Sequence, residues 1–199
     1  MISQNVKWHL SKVSLPEIEE RNNHKGCVIW LTGLSASGKS TIAVELERIL
    51  FDSGCNVFIL DGDNVRHGLN KDLGFSPKDR EENIRRLSEV CKLLRSAGFI
   101  TISAFISPYR KDRDQARSLI DDGHFFEVFI NCSIEECIKR DPKGMYKKAL
   151  EGKIPEFTGI SAPYEEPEKP ELIIDTEKNN VNESVEIIIN FLKAMQIIA

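Results

Sequence analysis

The sequence lacks any long hydrophobic run, and no apolar stretch in its 199 residues approaches membrane-spanning length. It also lacks the charged segment followed by an apolar core that marks a secretory signal. Acidic residues outnumber basic ones, 31 against 27, so no general basic field is available for nucleic acid. We therefore expect a cytoplasmic protein that binds neither membranes nor nucleic acid.

The cysteines lack any regular spacing. The five cysteines are an odd number and show no C-x-x-C spacing, whereas disulfide frameworks and zinc sites depend on even or closely spaced sets. Cys27 and Cys132 fall in or at the end of predicted strands, and Cys91 lies on the apolar side of a predicted helix. We expect buried, reduced thiols.

A phosphate-binding loop is the most informative feature that is present. Residues 33–40 satisfy G-x-x-x-x-G-K-[ST], between an apolar strand at 27–32 and a helical pattern at 41–50. Backbone N–H groups and the helix dipole meet there and attract anions. Lys39 would neutralise the β- and γ-phosphates, and the Ser40 hydroxyl would ligate Mg²⁺. A connector that binds nothing is the disfavoured alternative; the expected nucleotide-binding residues are Gly33, Leu34, Ser35, Ala36, Ser37, Gly38, Lys39, Ser40 and Thr41.

Strand and helix patterns alternate along the rest of the chain. Further apolar runs at 57–61, 100–106, 125–130 and 172–175 predict an α/β fold of three layers, the P-loop kinase type, with a five-stranded parallel sheet and helices on both faces. Residues 1–25 would form an N-terminal extension packed on a single domain at 26–199. The irregular, charged segment at 141–170 is either disordered or a functional lid.

Two acids follow the second predicted strand. Asp61 and Asp63 flank Gly62 at the sheet edge where open α/β folds bind ligands. One carboxylate could hold a metal-bound water and the other could accept the proton of an attacking hydroxyl. A helix-capping turn is the alternative. The segment Asn70-Lys71-Asp72-Leu73 lacks the final Asp of a guanine-specific N-K-x-D motif, which weighs against a GTPase.

Other polar groups suit a second anionic ligand. Arg80 and Asn83 share one helix face near Arg66, and arginine offers a planar fork to phosphate or sulfate. An exposed, ion-paired face is the alternative. Ser107 follows the third strand and would donate to substrate, receive phosphate, or cap the helix that follows Pro108.

The lid segment itself carries cations and an aromatic. Arg140, Lys143, Lys147 and Lys148 precede Phe157, a pattern that suits closure over phosphates and stacking on a base. The alternative is a basic, solvated loop.

Together these motifs closely resemble the adenylylsulfate kinase (APS kinase) family of P-loop kinases. Ala36 stands where the family often has glycine, a departure that the loop backbone should tolerate. The resemblance covers nearly the whole chain through the following segments: NVKWH at 5–9, WLTGLS at 30–35, LDGDNVR at 60–66, GFS at 74–76, FISPYR at 105–110, KGMYK at 143–147, FTGI at 157–160 and YEEP at 164–167.

The resemblance implies phosphorylation of the ribose 3′-hydroxyl of adenosine 5′-phosphosulfate (APS) by ATP and Mg²⁺, in sulfate assimilation, by a homodimer. Asp61 and Asp63 would serve the metal and the 3′-hydroxyl, with their roles undivided, and Arg140 would lie near ATP. Phe75 and Phe157 would sandwich the substrate adenine. The family's phosphoserine position corresponds to Ser107. If the phosphoryl group passes directly from ATP to the acceptor, Ser107 is a substrate contact instead. The remaining acceptor residues would be Arg66, Arg80, Asn83, Ile106 and Lys143.

Two other functions stay open from the sequence. One is a P-loop kinase for another small hydroxyl or nucleotide acceptor, and the other is a non-catalytic nucleotide-binding partner of a sulfurylase. The intact Lys39, Ser40, Asp61 and Asp63 argue against the second.

Overall fold

A single parallel sheet organises the protein. The computed structural model describes residues 6, 7 and 9–199. Its strands are β1 (Cys27–Thr32), β2 (Val57–Asp61), β3 (Ile100–Ala104), β4 (Phe125–Asn131) and β5 (Leu172–Asp175). They lie in the order β2-β3-β1-β4-β5, and every neighbouring pair is parallel. The predicted five-stranded parallel sheet is confirmed.

Helices connect the strands and cover both faces of the sheet. They are α1 (Leu15–Asn22), α2 (Lys39–Asp52), α3 (Gly62–Arg66), α4 (Pro77–Ser96), α5 (Arg110–Ser118), α6 (Ile134–Arg140), α7 (Met145–Leu150) and α8 (Val181–Ala194). The sequence patterns did not predict α3 or α7, because five and six residues are too short to show helical periodicity.

The central strand separates two apolar cores. Every residue of β1 is buried, and alternate side chains of a strand point to opposite faces. Ile29 and Leu31 therefore join the core formed with α2 and α8. Val28 and Trp30 join the second core, formed with α4 and α5. This burial on both sides fixes the position of the loop that follows β1.

The segment at 141–170 is more ordered than its composition predicts. It contains α7, and Tyr146, Ala149 and Phe157 form a third apolar cluster with Cys132 and Cys137. Aromatic side chains bury large areas, so a few of them replace the aliphatic residues that the segment lacks. The disordered alternative is therefore wrong for the part that contains α7 and this cluster, and a role as a lid stays a prediction.

The N-terminal helix packs beside the turn between α4 and β3. Glu19 accepts hydrogen bonds from Arg95 Nη1 at 2.9 Å and from the Gly26 amide at 3.1 Å. Residues 1–5 and 8, including Asn5 and Trp8 of the resemblance, lie outside the described residues, and the division at residue 25 stays a prediction. Within the described ranges, no helix has the length and apolarity needed to cross a membrane.

Candidate active site

A cleft of about 760 Å³ opens at the carboxyl edge of the sheet. It brings together the phosphate loop, the acids after β2, the start of α4, the loop after β3 and the start of the lid. The predicted site residues on its wall are Ser35, Ala36, Gly38, Lys39, Ser40, Thr41, Asp61, Asp63, Arg66, Phe75, Arg80, Asn83, Ile106, Ser107, Arg140 and Lys143.

The phosphate loop depends on backbone shapes that favour glycine. Gly33 has φ +153°, and a Cβ there would lie 2.5 Å from the Ile130 carbonyl oxygen. Gly38, at φ +107°, caps α2. Ala36 also adopts a positive φ, 61°, so the methyl is accommodated in a conformation that glycine takes with less strain. The loop therefore keeps its turn despite the alanine.

Lys39 is held inside the loop. It is 7% exposed, and its Nζ donates to the carbonyl oxygens of Gly33 at 2.9 Å and Leu34 at 2.6 Å. Burial lowers the pKa of Lys39 to about 8, because removal from water disfavours the charged form. Gly33, Leu34 and the buried Ser37 support this lysine from behind the cleft wall.

Asp61 connects the phosphate loop to α3. Its Oδ2 accepts a 2.8 Å hydrogen bond from Ser40 Oγ, and its Oδ1 accepts from the Asp63 amide at 2.9 Å. Asp61 therefore caps α3, as the helix-capping alternative predicts, and also faces the phosphate loop. A hydroxyl and a carboxylate are oxygen ligands of the kind Mg²⁺ takes alongside substrate phosphates, so Ser40 and Asp61 fit a magnesium site.

Asp63 and Lys143 form an ion pair across the cleft. Both side chains are about two-thirds exposed, at 68% and 66%. The Asp63 carboxylate raises the pKa of Lys143, since an opposite charge favours the ammonium form. The pair thus joins the acid after β2 to the beginning of the lid segment.

Two of the cleft arginines, Arg66 and Arg80, contact neighbouring loops. The Arg66 guanidinium lies 4.3 Å from the centre of the Phe75 ring and donates to the Leu73 and Gly74 carbonyls. Arg80 donates to the Glu156 carbonyl at 2.6 Å and to Thr158 Oγ1 at 2.9 Å. Arg80 thereby links α4 to the lid, and the ion-paired alternative does not describe either residue.

The structure does not bring Phe75 and Phe157 to a common surface. Phe75 is 59% exposed and lines the cleft, whereas Phe157 is 8% exposed and lies off the cleft wall. The Phe157 ring packs 5.0 Å from the Tyr146 ring, edge to face. Burial against Tyr146 satisfies Phe157 in the third cluster, so the expected pair of flanking rings is absent from this geometry.

Asn83 and Ser107 lie deep in the cleft. Asn83 is buried and accepts a 2.9 Å hydrogen bond from Asn70 Nδ2. Ser107 is 2% exposed, and its Oγ accepts from Trp30 Nε1 at 3.1 Å. Tyr109, not Ser107, is the N-cap of α5. The N-cap alternative for Ser107 is therefore wrong.

The wall beyond β5 was missed by sequence reasoning. Arg140 Nη2 donates to the Thr176 carbonyl at 2.8 Å, and Thr176 Oγ1 donates to the Ser37 carbonyl at 2.9 Å. These bonds place Arg140 beside the phosphate loop. The position of this segment directly after the last strand could have indicated that it lines the cleft. Its cleft residues are Thr176, Asn179, Asn180, Val181 and Ser184.

The chain is similar to known adenylylsulfate kinases. The family model for adenylylsulphate kinase matches residues 25–175. A curated adenylyl-sulfate kinase of Staphylococcus epidermidis is 59% identical over 191 residues, 96% of each chain.

Solved structures give the same result. The APS kinase of Mycobacterium tuberculosis, solved with AMPPNP and APS, has a TM-score of 0.81 and 44% identity, and the match covers 85% of this chain and 99% of that one. A hexameric APS kinase from Thiobacillus denitrificans has a TM-score of 0.68 and 31% identity, over 92% of this chain and 32% of that longer one. The phosphate loop, the acids after β2 and these matches together establish that the chain belongs to the adenylylsulfate kinase family.

Proposed function

We propose that this protein transfers the γ-phosphoryl group of ATP to the 3′-hydroxyl of APS, giving ADP and 3′-phosphoadenosine 5′-phosphosulfate. The observation that carries the proposal is the shared cleft. Asp63 lines the same cleft as the phosphate loop and the buried Asn83 and Ser107. A phosphoryl donor and a second polar ligand can therefore meet at one carboxylate.

The donor half is the phosphate loop. Lys39 would stabilise the γ-phosphoryl group through charge, and the N-terminus of α2 would hold the phosphates through its backbone N–H groups. Ser40 and Asp61 would hold Mg²⁺, which supplies charge neutralisation of the phosphate oxygens. Arg140 and the residues after β5 would bound the donor base.

The acceptor half lies across the cleft. The 3′-oxygen would form a bond to the γ-phosphorus while the bond to the β–γ bridging oxygen breaks and ADP leaves. Asp63 would take the proton of the hydroxyl. This role requires Asp63 to exchange its ion pair with Lys143 for the substrate, which frees Lys143 to meet the anionic ligand.

The phosphosulfate would be bound by polar groups near Ser107. Arg66, Arg80, Asn83 and the Ile106 backbone are the further contacts that we propose. Ser107 would contact substrate without being phosphorylated, because direct transfer from ATP needs no phosphoserine intermediate. Its Oγ already accepts a hydrogen bond from Trp30. Phe75 offers one face to the adenine, and Phe157 would join it only if its segment moves.

The protein's wider setting is also a proposal. The reaction would serve sulfate assimilation in the cytoplasm, where reducing conditions suit five buried, unpaired cysteines. A homodimer is the assembly that we propose, and sedimentation of the purified protein would test it against a monomer or a higher assembly.

The test is APS-dependent release of ADP from Mg-ATP by the purified protein. Asp63→Asn should lower kcat by about a hundredfold or more, because a positioned general base contributes on that scale. Asp114→Asn, at an exposed aspartate of α5, is the matched control and should leave kcat unchanged. No APS-dependent ADP release, or full activity in Asp63→Asn, would contradict the proposal.

A further inference from the structure

The loop after β3 carries backbone strain beside the acceptor half of the cleft. Ser107 has φ +40°, a left-handed conformation that a non-glycine residue adopts at a cost. Such a conformation persists only where surrounding contacts hold it. The contacts at this loop therefore identify what sets the position of Ser107.

Buried donors hold two successive carbonyls of this loop. Arg113 Nη1 donates to the Ser107 carbonyl at 2.7 Å. Thr32 Oγ1 donates to the Ile106 carbonyl at 2.8 Å. Both donors are almost fully buried, at 2% exposure for Arg113 and 0% for Thr32. Water cannot readily replace either bond, so both contribute to the loop's shape.

The same guanidinium reaches two other elements. Arg113 Nη2 donates to the Glu165 carbonyl at 2.7 Å, and Nε donates to Glu127 Oε1 at 2.6 Å. The Glu165 amide in turn donates to the Pro108 carbonyl at 2.8 Å. One side chain thus joins the Ser107 loop to the end of the lid segment and to β4.

We infer that Arg113, together with Thr32, is a positioning residue for the acceptor substrate. It holds the Ser107 carbonyl and the end of the lid in one arrangement, and so fixes where Ser107 Oγ and the Ile106 backbone meet APS. Arg113 does not line the cleft and acts through the loop. The inference rests on the proposed function for the identity of the acceptor.

Arg113→Lys tests the inference with the charge beside Glu127 retained. A lysine has one nitrogen and cannot reach three divergent acceptors in the way that a guanidinium does. Arg117→Lys is the matched control, since Arg117 lies one turn later on α5 and does not contact the Ser107 loop. It binds Glu171 at 2.6 and 2.8 Å and shares Glu127 with Arg113 at 3.4 Å.

We expect Arg113→Lys to raise the KM and the Kd for APS about tenfold or more, because a buried hydrogen bond to a charged group is lost. The Kd for a non-hydrolysable ATP analogue should stay within about twofold of wild type. Arg117→Lys should change neither constant. A purely structural defect would weaken both ligands or lower the melting temperature without this asymmetry.

An unchanged APS constant in folded Arg113→Lys, or equal losses for APS and the ATP analogue, would overturn the inference. If that variant does not fold, Thr32→Val decides, because it preserves the side-chain shape and removes the hydroxyl contacts to the Ile106 carbonyl and to Tyr164. A raised KM for APS alone supports the inference, and an unchanged one overturns it. Wild type without APS turnover would overturn the proposed function and this inference with it. Wild-type turnover with unaltered variants would overturn the inference alone.

Discussion

Single residues in the cleft combine structural and chemical roles. Asp61 caps α3 through Oδ1 and accepts from Ser40 through Oδ2. Its two oxygens therefore set the backbone after β2 and face the phosphate loop at once. Lys39 similarly closes the loop on itself through the Gly33 and Leu34 carbonyls, so binding of phosphate would exchange protein acceptors for ligand acceptors.

We expect nucleotide binding to depend on pH through Lys39. Burial holds its pKa at about 8, whereas the phosphates of bound ATP favour the charged ammonium. Binding near pH 8 should therefore take up a proton, and affinity should fall as the pH rises through about 8. Calorimetry of Mg-ATP binding in buffers of different ionisation enthalpy measures this uptake.

Lys39→Arg is the control for that measurement. Arginine stays charged across this range, so the variant should bind without the uptake. Wild type that binds without a proton near pH 8 would contradict the assignment to the buried lysine.

Some residues in and around the cleft could be predicted from the sequence and others could not. Lys39, Ser40, Asp61 and Asp63 were predictable because a motif and a strand end fix them locally. Arg113 was not, since only one of its three acceptors, the Ser107 carbonyl, is near it in sequence, whereas Glu127 and Glu165 lie 14 and 52 residues away. The lid pattern predicted Phe157 as a stacking residue and the resemblance paired it with Phe75, but its burial against Tyr146 depends on a helix that periodicity could not predict.

At the scale of elements, turns decide how helices meet the sheet. Gly98 ends α4 with φ +80° and Gly123 precedes β4 with φ +78°. A Cβ at Gly98 would lie 2.5 Å from Ile18 Cγ2 of α1, whereas a Cβ at Gly123 would have no atom within 4 Å. The two glycines share a backbone conformation and differ in their surroundings.

Gly98→Ala should therefore destabilise the protein more than Gly123→Ala. Both replacements impose a left-handed alanine, at about 1–2 kcal/mol. The first also forces α1 and the turn apart, which adds about 1–3 kcal/mol. Urea denaturation of both variants measures the difference. Equal midpoints would mean that α1 does not pack on this turn in solution.

Element boundaries were predictable where side chains report packing directly. The buried runs of β1 and β4 were recognisable in the sequence. The end of β3 was set at Ile106 and lies at Ala104, because the apolar Phe105 and Ile106 belong to the loop that Thr32 and Arg113 hold. Apolar character alone does not separate a strand from a buried loop.

In the whole molecule, the order of the strands determines which loops line the cleft. With β1 central and all strands parallel, the loops after β1, β2, β3 and β5 open at one edge and line a single cleft. The phosphate loop occupies its middle, with Arg140 and Thr176 on one side and Asn83 and Ser107 on the other. This arrangement allows one bound nucleotide to give a phosphoryl group to another.

The most direct test of that central claim is identification of the product. The purified protein is incubated with Mg-ATP and APS, and the product is analysed by phosphorus NMR and mass spectrometry. We expect one new phosphate on the ribose 3′-oxygen for each ADP formed, with the phosphosulfate intact. ADP formed without phosphorylated APS, or a phosphate at another position, would contradict it.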